Sequence, residues 1–286
     1  MIVHLTFLVF VVGMAFSATG GNLTGPLNPH LLSIRNSLVA FFEWFGDLGM
    51  FCGRLTWAAF TPPYEIQEFV HQFDQLGAKS LPLVALAGAA TGVVMTLSTR
   101  DSLIRFGAKS FLPAVVVFSI IKESGPIITA LVVSGRAAAG IGAELSAMKV
   151  TEQIDAMEAS AVNQYKFLVA TRVLACMLML PLLTLVTDFF GVVMGWAANT
   201  LTDPISLRLF IHDGFKSATF SDFLPPTLKT MVFGVIIGVV SCFEGTRATG
   251  GTEGVERAAT SSVVLASLFI ILADVLLVHI ILVFFS

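Results

Sequence analysis

The chain has 286 residues, 56% of them hydrophobic and only 12% charged, with a mean hydropathy of +0.88 and a formal net charge of −3. Soluble domains carry about a quarter charged residues, so this composition excludes a soluble globule and indicates an integral membrane protein. The mildly acidic balance gives no basic field for nucleic acid. Cys52, Cys176 and Cys242 lie far apart with no C-x-x-C, which fits neither a disulfide framework nor a zinc site; they read as small apolar fillers.

Met1 to Ala18 is apolar, but no Lys or Arg precedes the run as a secretory signal requires. A further span, a membrane-lying segment and an overlong start are the remaining readings, and the residues do not choose among them. Leu31, Ile34, Leu38, Phe41, Phe45, Leu48 and Cys52 then trace one helical face, with Arg35, Asn36, Glu43 and Asp47 off it. After Thr61-Pro62-Pro63, the residues Ile66, Phe69, Val70, Phe73 and Leu76 repeat the pattern. Both stretches are expected to be amphipathic helices in the membrane interface, helped by Trp44, Trp57 and Tyr64.

Five segments then meet the requirement of roughly 17–25 mainly apolar residues for crossing about 30 Å of hydrocarbon. They are Ser80 to Thr99, Ser110 to Gly135, Phe167 to Ala198, Phe223 to Phe243 and Ala258 to Ser286. The second carries Lys122 and Glu123 near its middle, the third Arg172 and Asp188, and the last Asp274 and His279. Lys229 lies near one end of the fourth, where its stem is expected to snorkel to the interface. Gly88/Gly92, Gly191/Gly195 and Gly234/Gly238 are G-x-x-x-G spacings that favour close helix packing and are compatible with a dimer. The basic residues lean only weakly toward a cytoplasmic location for the Gly135–Ala159 segment.

Two polar sites stand out. A charge at mid-membrane costs about 2.5–3.5 kcal/mol on insertion scales, so Lys122-Glu123 is expected to face a wet cavity or the protein interior. Neighbouring residues point about 100° apart on a helix, so the two cannot simply neutralise each other. Gly125 and Pro126 loosen the helix beside them, which suits a polar pocket in an apolar wall and an amphiphilic ligand. The second site is Gly135 to Ala159. From Val150 onward, Val150, Ile154 and Met157 recur at helical spacing, with Glu152, Asp155 and Glu158 around them. An acidic amphipathic helix between two spans is expected to lie at the membrane surface and to receive a soluble partner. Asp188, Asp274 and His279 are weaker signals, read either as a proton relay or as interhelical hydrogen bonding. No H-E-x-x-H, G-x-S-x-G or His/Cys cluster supports catalysis or a metal. There is also no Walker-type phosphate loop, so energy from ATP would have to arrive through another chain.

From about Glu65 to the C-terminus the chain resembles the MlaE/YrbE permeases, the membrane subunits of lipid-transporting ABC systems. Glu123-Ser124-Gly125-Pro126 is similar to the family's E-L-G-P. Gly135-Arg136, Ala143-Glu144-Leu145, Met148 and Val150 to Glu158 follow its long G-R…A-E-L-G-x-M-x-V-T-E-Q-I-D-A-L-E block, with Met157 for Leu. Gly250 to Val255 and Ala258-Ala259-Thr260 resemble its glycine-rich turn before the last helix, whereas Gln164 and Thr171 stand where prolines are usual. The resemblance implies an all-α integral membrane fold with N-terminal interfacial amphipathic helices and five transmembrane helices. The chain would divide into residues 1–64, an apolar segment with an interfacial helix, and a permease domain of residues 65–286.

The same resemblance implies a permease dimer in the bacterial inner membrane, an ABC ATPase subunit that binds the ATP and magnesium, and an MCE-domain partner opposite. It places lipid at Lys122 and Glu123 and, on residue character alone, at Met95, Leu103 and Phe106. It places the ATPase contact at Glu144, Met148, Thr151, Glu152, Ile154, Asp155, Met157 and Glu158. No catalytic residue, metal or cofactor is expected in this chain. The competing readings are a stand-alone ion-coupled secondary transporter using Asp188, Asp274 and His279, and a non-transporting membrane scaffold.

Overall fold

A computed structural model describes residues 29–61, 65–216 and 220–285. The apolar segment Met1 to Ala18, the side chains of Leu31, Ile34 and Leu38, and Tyr64 lie outside what it describes. The chain forms two compact units, Met1–Gly49 and Met50–Ser286. The described part of the first belongs to helix α1 (Pro29–Phe60). There the Phe41 and Phe45 rings meet at a tilt with centroids 4.7 Å apart and Trp44 meets Phe45 edge-on at 5.1 Å, with both phenylalanine rings exposed. Exposed aromatic rings on such a helix suit the headgroup level of a bilayer.

In the second unit, five helical runs are long and apolar enough to cross a membrane: Ile66–Arg105, Lys109–Val150, Tyr165–Thr200, Phe223–Thr246 and Gly251–Ile281. No strand occurs among the described residues. The first run is α2 (Ile66–Arg105), and the amphipathic stretch at its start continues into the span without a break. Its 40 residues reach about 60 Å, twice the hydrocarbon thickness, so its first turns project beyond the membrane core.

The second run is composite. A 3₁₀ turn (Lys109–Phe111) leads into α3 (Leu112–Ser119), a π-helical turn (Ile120–Ser124), α4 (Gly125–Val133), a second π-turn (Ser134–Ala138) and α5 (Ala139–Val150). Pro126 has no N–H to continue the α ladder, and the Gly125 N–H reaches back five residues to the Ile120 carbonyl. The segment expected as a loop from Gly135 is therefore helical through Val150, an extension of the span. The chain breaks only at Thr151-Glu152, where Glu152 adopts φ 60°, before the short α6 (Gln153–Ala159).

A π-turn (Tyr165–Ala170) opens α7 (Thr171–Thr200); α8 (Leu207–Phe215), α9 (Phe220–Thr246) and α10 (Gly251–Phe285) follow. Helix α8 lies between the third and fourth spans, in a stretch whose sequence pattern had pointed to no element. It buries Phe210 completely among Leu112, Val116, Val117, Ile120, Ile121 and Val192. Its nine residues are too few to show an apolar period clearly, and its start is capped by Ser206, whose hydroxyl accepts the Leu209 N–H.

Helix α7 is the centre of the bundle, packed most extensively against α2 and then α9. A Cβ on Gly88 or Gly92 would overlap the carbonyl oxygens of Thr187 or Gly191, and one on Gly238 would stand 2.8 Å from the Val173 Cα. The G-x-x-x-G pairs thus close α2 and α9 onto α7 within one chain. They are occupied by intramolecular packing and do not form an outward dimer face.

Candidate functional site

The π-turn after α3 positions Lys122 and Glu123, both exposed. Lys122 places its ammonium 4.8 Å from the centre of the Phe118 ring. Glu123 reaches across the bundle, where the Lys229 ammonium donates to its Oε2 at 3.2 Å. Lys229 comes from α9 and also stands 2.9 Å from Asp274 Oδ1 on α10. Three elements therefore converge on one cation with two carboxylates.

This corrects the snorkelling assigned to Lys229, whose side chain is only 2% exposed. Helix α9 is the most buried of the five spans, so its lysine has protein on all sides and must find partners inside. The relay formed from Asp188, Asp274 and His279 is likewise not assembled. Asp274 is turned inward to Lys229 while His279 is exposed on α10. Asp188 is buried against Gly125, where a Cβ would overlap its carboxylate, and neither of its oxygens has a hydrogen-bond partner. Beside it, Thr129 donates to Thr187 at 2.7 Å and ties α4 to α7.

The apolar residues expected near this site are dispersed. Leu103 packs on the cluster containing Ile120 and Ile121, the residues immediately before Lys122. Met95 is half-buried on α2. Phe106 is 84% exposed at the C-terminal end of that helix and does not join the cluster.

At the loop-helix end, Ile154 is fully buried, with Val150 and Met157 half-buried beside it in sequence order. Thr151, Glu152, Asp155 and Glu158 are exposed, and Met148 is half-buried. The expected stripe is present, although the helix carrying it starts at Gln153 and Val150 closes the preceding one. Lys149 holds Asp155 at 2.6 Å, which straps α6 back onto α5. Glu144 accepts from Arg172 at 2.8 Å. That arginine, buried at the start of α7, also donates to the Leu168 carbonyl at 2.9 Å. Glu144 thus neutralises a buried cation as well as bordering the loop.

The opposite end is fastened by Asp203, which lies 2.8 Å from Arg100 and 2.6 Å from Lys109. Hydrogen bonds from Lys109 and Arg100 hold the Asp203 carboxyl below its usual range. Two of the three basic residues between Arg100 and Lys109 therefore tie spans together.

Among the described residues no cluster of His, Cys, Asp or Glu could hold a metal ion. The Glu123–Lys229–Asp274 set places buried charge beside apolar helix surface. The profile of the Permease MlaE family matches residues 69–280. A probable ABC transporter permease protein of Rickettsia felis is 33% identical over 251 residues, covering 86% of this chain and 97% of the relative. One from Synechocystis is 31% identical over 205 residues, covering 72% of this chain and 78% of its own. The chloroplast protein trigalactosyldiacylglycerol 1 of Arabidopsis thaliana is 31% identical over 208 residues, covering 73% of this chain and 59% of the plant protein.

Proposed function

Because the chain belongs to the MlaE family of ABC transporter permeases, we propose that it is the membrane subunit of a lipid transporter. It moves phospholipid or another lipid between the bacterial inner membrane and an MCE-domain partner, driven by a separate ATPase that binds the ATP and magnesium. The multi-pass fold supports a membrane role, and the lipid in the name of the Arabidopsis relative supports the class of cargo. The observation that carries the reading is the charged set Glu123–Lys229–Asp274, held inside membrane-spanning helices beside a π-turn and a proline. A zwitterionic headgroup, its ammonium toward Glu123 and its phosphate toward Lys122, needs such a site in an apolar wall, because charge at that depth is otherwise strongly disfavoured. Glu123, half-exposed, is the member that meets the headgroup, with Lys122 beside it; Lys229 and Asp274 hold it in place. Met95, Leu103 and Phe106 supply apolar surface for the tails, and two copies of the chain enclose the cavity.

Thr151, Glu152, Asp155 and Glu158 form the ATPase-docking face, seated by Ile154, Met157 and Met148 and bordered by Glu144. Exposed carboxylates on a short helix that the Lys149–Asp155 pair fixes in place suit a basic groove on a soluble partner. ATP-dependent transfer of labelled phospholipid from proteoliposomes tests the account. Glu123→Arg is expected to abolish transfer and Glu123→Gln to leave part of it, with ATPase and permease still copurifying in both. Normal transfer by both variants would place the lipid elsewhere. Failure of both to assemble would make Glu123 a packing residue.

A further inference from the structure

Two clefts meet on the outer surface of the second unit, at the end where the loop helix lies. One, of about 430 Å³, is lined by Met50, Gly53, Arg54, Trp57, Asn163 and Tyr165. The other, of about 110 Å³, runs along Ile66, Phe69, Ala170 and Leu174. Ala58 borders both, so the clefts adjoin.

The two have different chemistry. In the first, Arg54 is exposed, and among the described residues its partner is the Tyr165 hydroxyl, which accepts from Nη1 at 3.4 Å. The Tyr165 ring is steadied by Phe51 at 5.5 Å. Asn163 uses its side-chain oxygen to accept the Tyr165 N–H at 3.0 Å, which leaves its amide nitrogen as a donor. An uncompensated guanidinium, a phenol and an amide thus surround a cavity whose floor is open, since a Cβ on Gly53 would meet nothing within 4 Å. Trp57, 78% exposed, stands at its rim as interfacial tryptophans do. In the second cleft the walls are mostly apolar, formed by Ile66 and Phe69 on the first turn of α2 and by Ala170 and Leu174 at the start of the third span, with Ile66 and Leu174 exposed. Glu65 and Lys166, also on this cleft, carry opposite charges and give it no net sign.

We propose that the paired clefts bind one anionic phospholipid from the surrounding leaflet, its phosphate at Arg54 and an acyl chain in the groove between Ile66 and Leu174. A guanidinium with donors beside it fits phosphate oxygens, and a headgroup without its own cation leaves the arginine charge answered. An apolar groove leading away from that charge toward the bilayer fits an acyl chain and not a free anion. The site is separate from the Glu123–Lys229–Asp274 set and does not depend on the transport reading. It would hold α1 against the start of α7 at the same end as the ATPase-docking helix.

Retention of lipid after detergent extraction, followed by native mass spectrometry, tests this. The purified chain is exchanged from mixed phosphatidylglycerol and phosphatidylcholine bilayers, with diacylglycerol and inorganic phosphate as separate probes. The wild type is expected to retain phosphatidylglycerol in preference to phosphatidylcholine, and diacylglycerol not at all. Arg54→Gln should cut that preference about five-fold, the effect of one basic residue at an anionic surface. Gly53→Leu fills the open floor without touching the charge and should lower retention as well. Placed in a Glu123→Arg chain, Arg54→Gln should still cut the preference about five-fold, which separates failure here from failure of the transport site. Equal phosphatidylglycerol retention by wild type, Arg54→Gln and Gly53→Leu would overturn the proposal. So would displacement by inorganic phosphate, which would mark a simple anion site.

Discussion

Lys229 and Arg172 each bring a cation to 2% side-chain exposure, and each meets a glutamate about half exposed: Glu123 at 48% and Glu144 at 51%. Beyond that the two differ. Arg172 has one carboxylate for its one charge, and its planar guanidinium also donates to the Leu168 carbonyl. The pair is balanced and sits near the loop-helix end, where Glu144 can reach water. Lys229 stands between two carboxylates from two different elements, next to a π-turn. With all three ionised, that set carries one negative charge more than it neutralises. A charge-balanced pair can stand as a structural tie, whereas a set with excess negative charge inside a membrane is open to a further cation. This difference, more than burial, is the ground for proposing the Glu123 site as the binding one.

The largest effect expected from this contrast is on stability. Lys229→Met leaves Glu123 and Asp274 facing the same site with no cation, and Asp274 is only 8% exposed. Breaking such a buried pair costs about 3–5 kcal/mol. Arg172→Met leaves only Glu144, which can turn to water, so its cost should be clearly smaller. Thermal unfolding of the two variants in the same detergent measures the order. A larger loss for Arg172→Met would show that Lys229 is not the buried keystone described here.

A third ion cluster gives a smaller and pH-dependent effect. Asp203 joins Arg100 and Lys109 at the opposite end of the bundle, in a more exposed setting than either buried cation. Its carboxyl is held low by hydrogen bonds from Lys109 and Arg100. A depressed folded-state value contributes stability that is present above the unfolded carboxylate range, about 3.9, and lost as pH falls through the folded value. Asp203→Asn should therefore lower the melting temperature slightly at pH 7. The gap from wild type should close as pH drops below about 4. A gap that persists at that acidity would mean Asp203 acts through packing and not through its charge.

The spans and the loop helix were legible because hydrophobic length and the Val150–Ile154–Met157 period survive any tertiary arrangement. The partners of the charged residues were not. Position within a span shows how deep Lys229 lies, but only packing shows that α9 is enclosed by its neighbours and that the lysine has no lipid-facing exit. Glu144 gave the same difficulty, since its motif marks the loop while its partner Arg172 lies on the next span. Of the three π-turns among the described residues, the first had a visible cue in Pro126, and those at Ser134–Ala138 and Tyr165–Ala170 had none. Helix α8 was hidden because a short amphipathic segment between spans has the composition of a loop.

The central claim is that Glu123 serves the lipid while Glu144 serves the fold. Glu123→Gln and Glu144→Gln make the same chemical change at two glutamates of nearly equal exposure, each beside a buried cation. Measured side by side, ATP-driven phospholipid transfer per assembled complex and melting temperature separate the roles. The account predicts that Glu123→Gln transfers less lipid per complex with its melting temperature little changed. It predicts that Glu144→Gln melts lower while each assembled complex transfers at the wild-type rate. Full transfer by Glu123→Gln together with reduced transfer per complex by Glu144→Gln would contradict it.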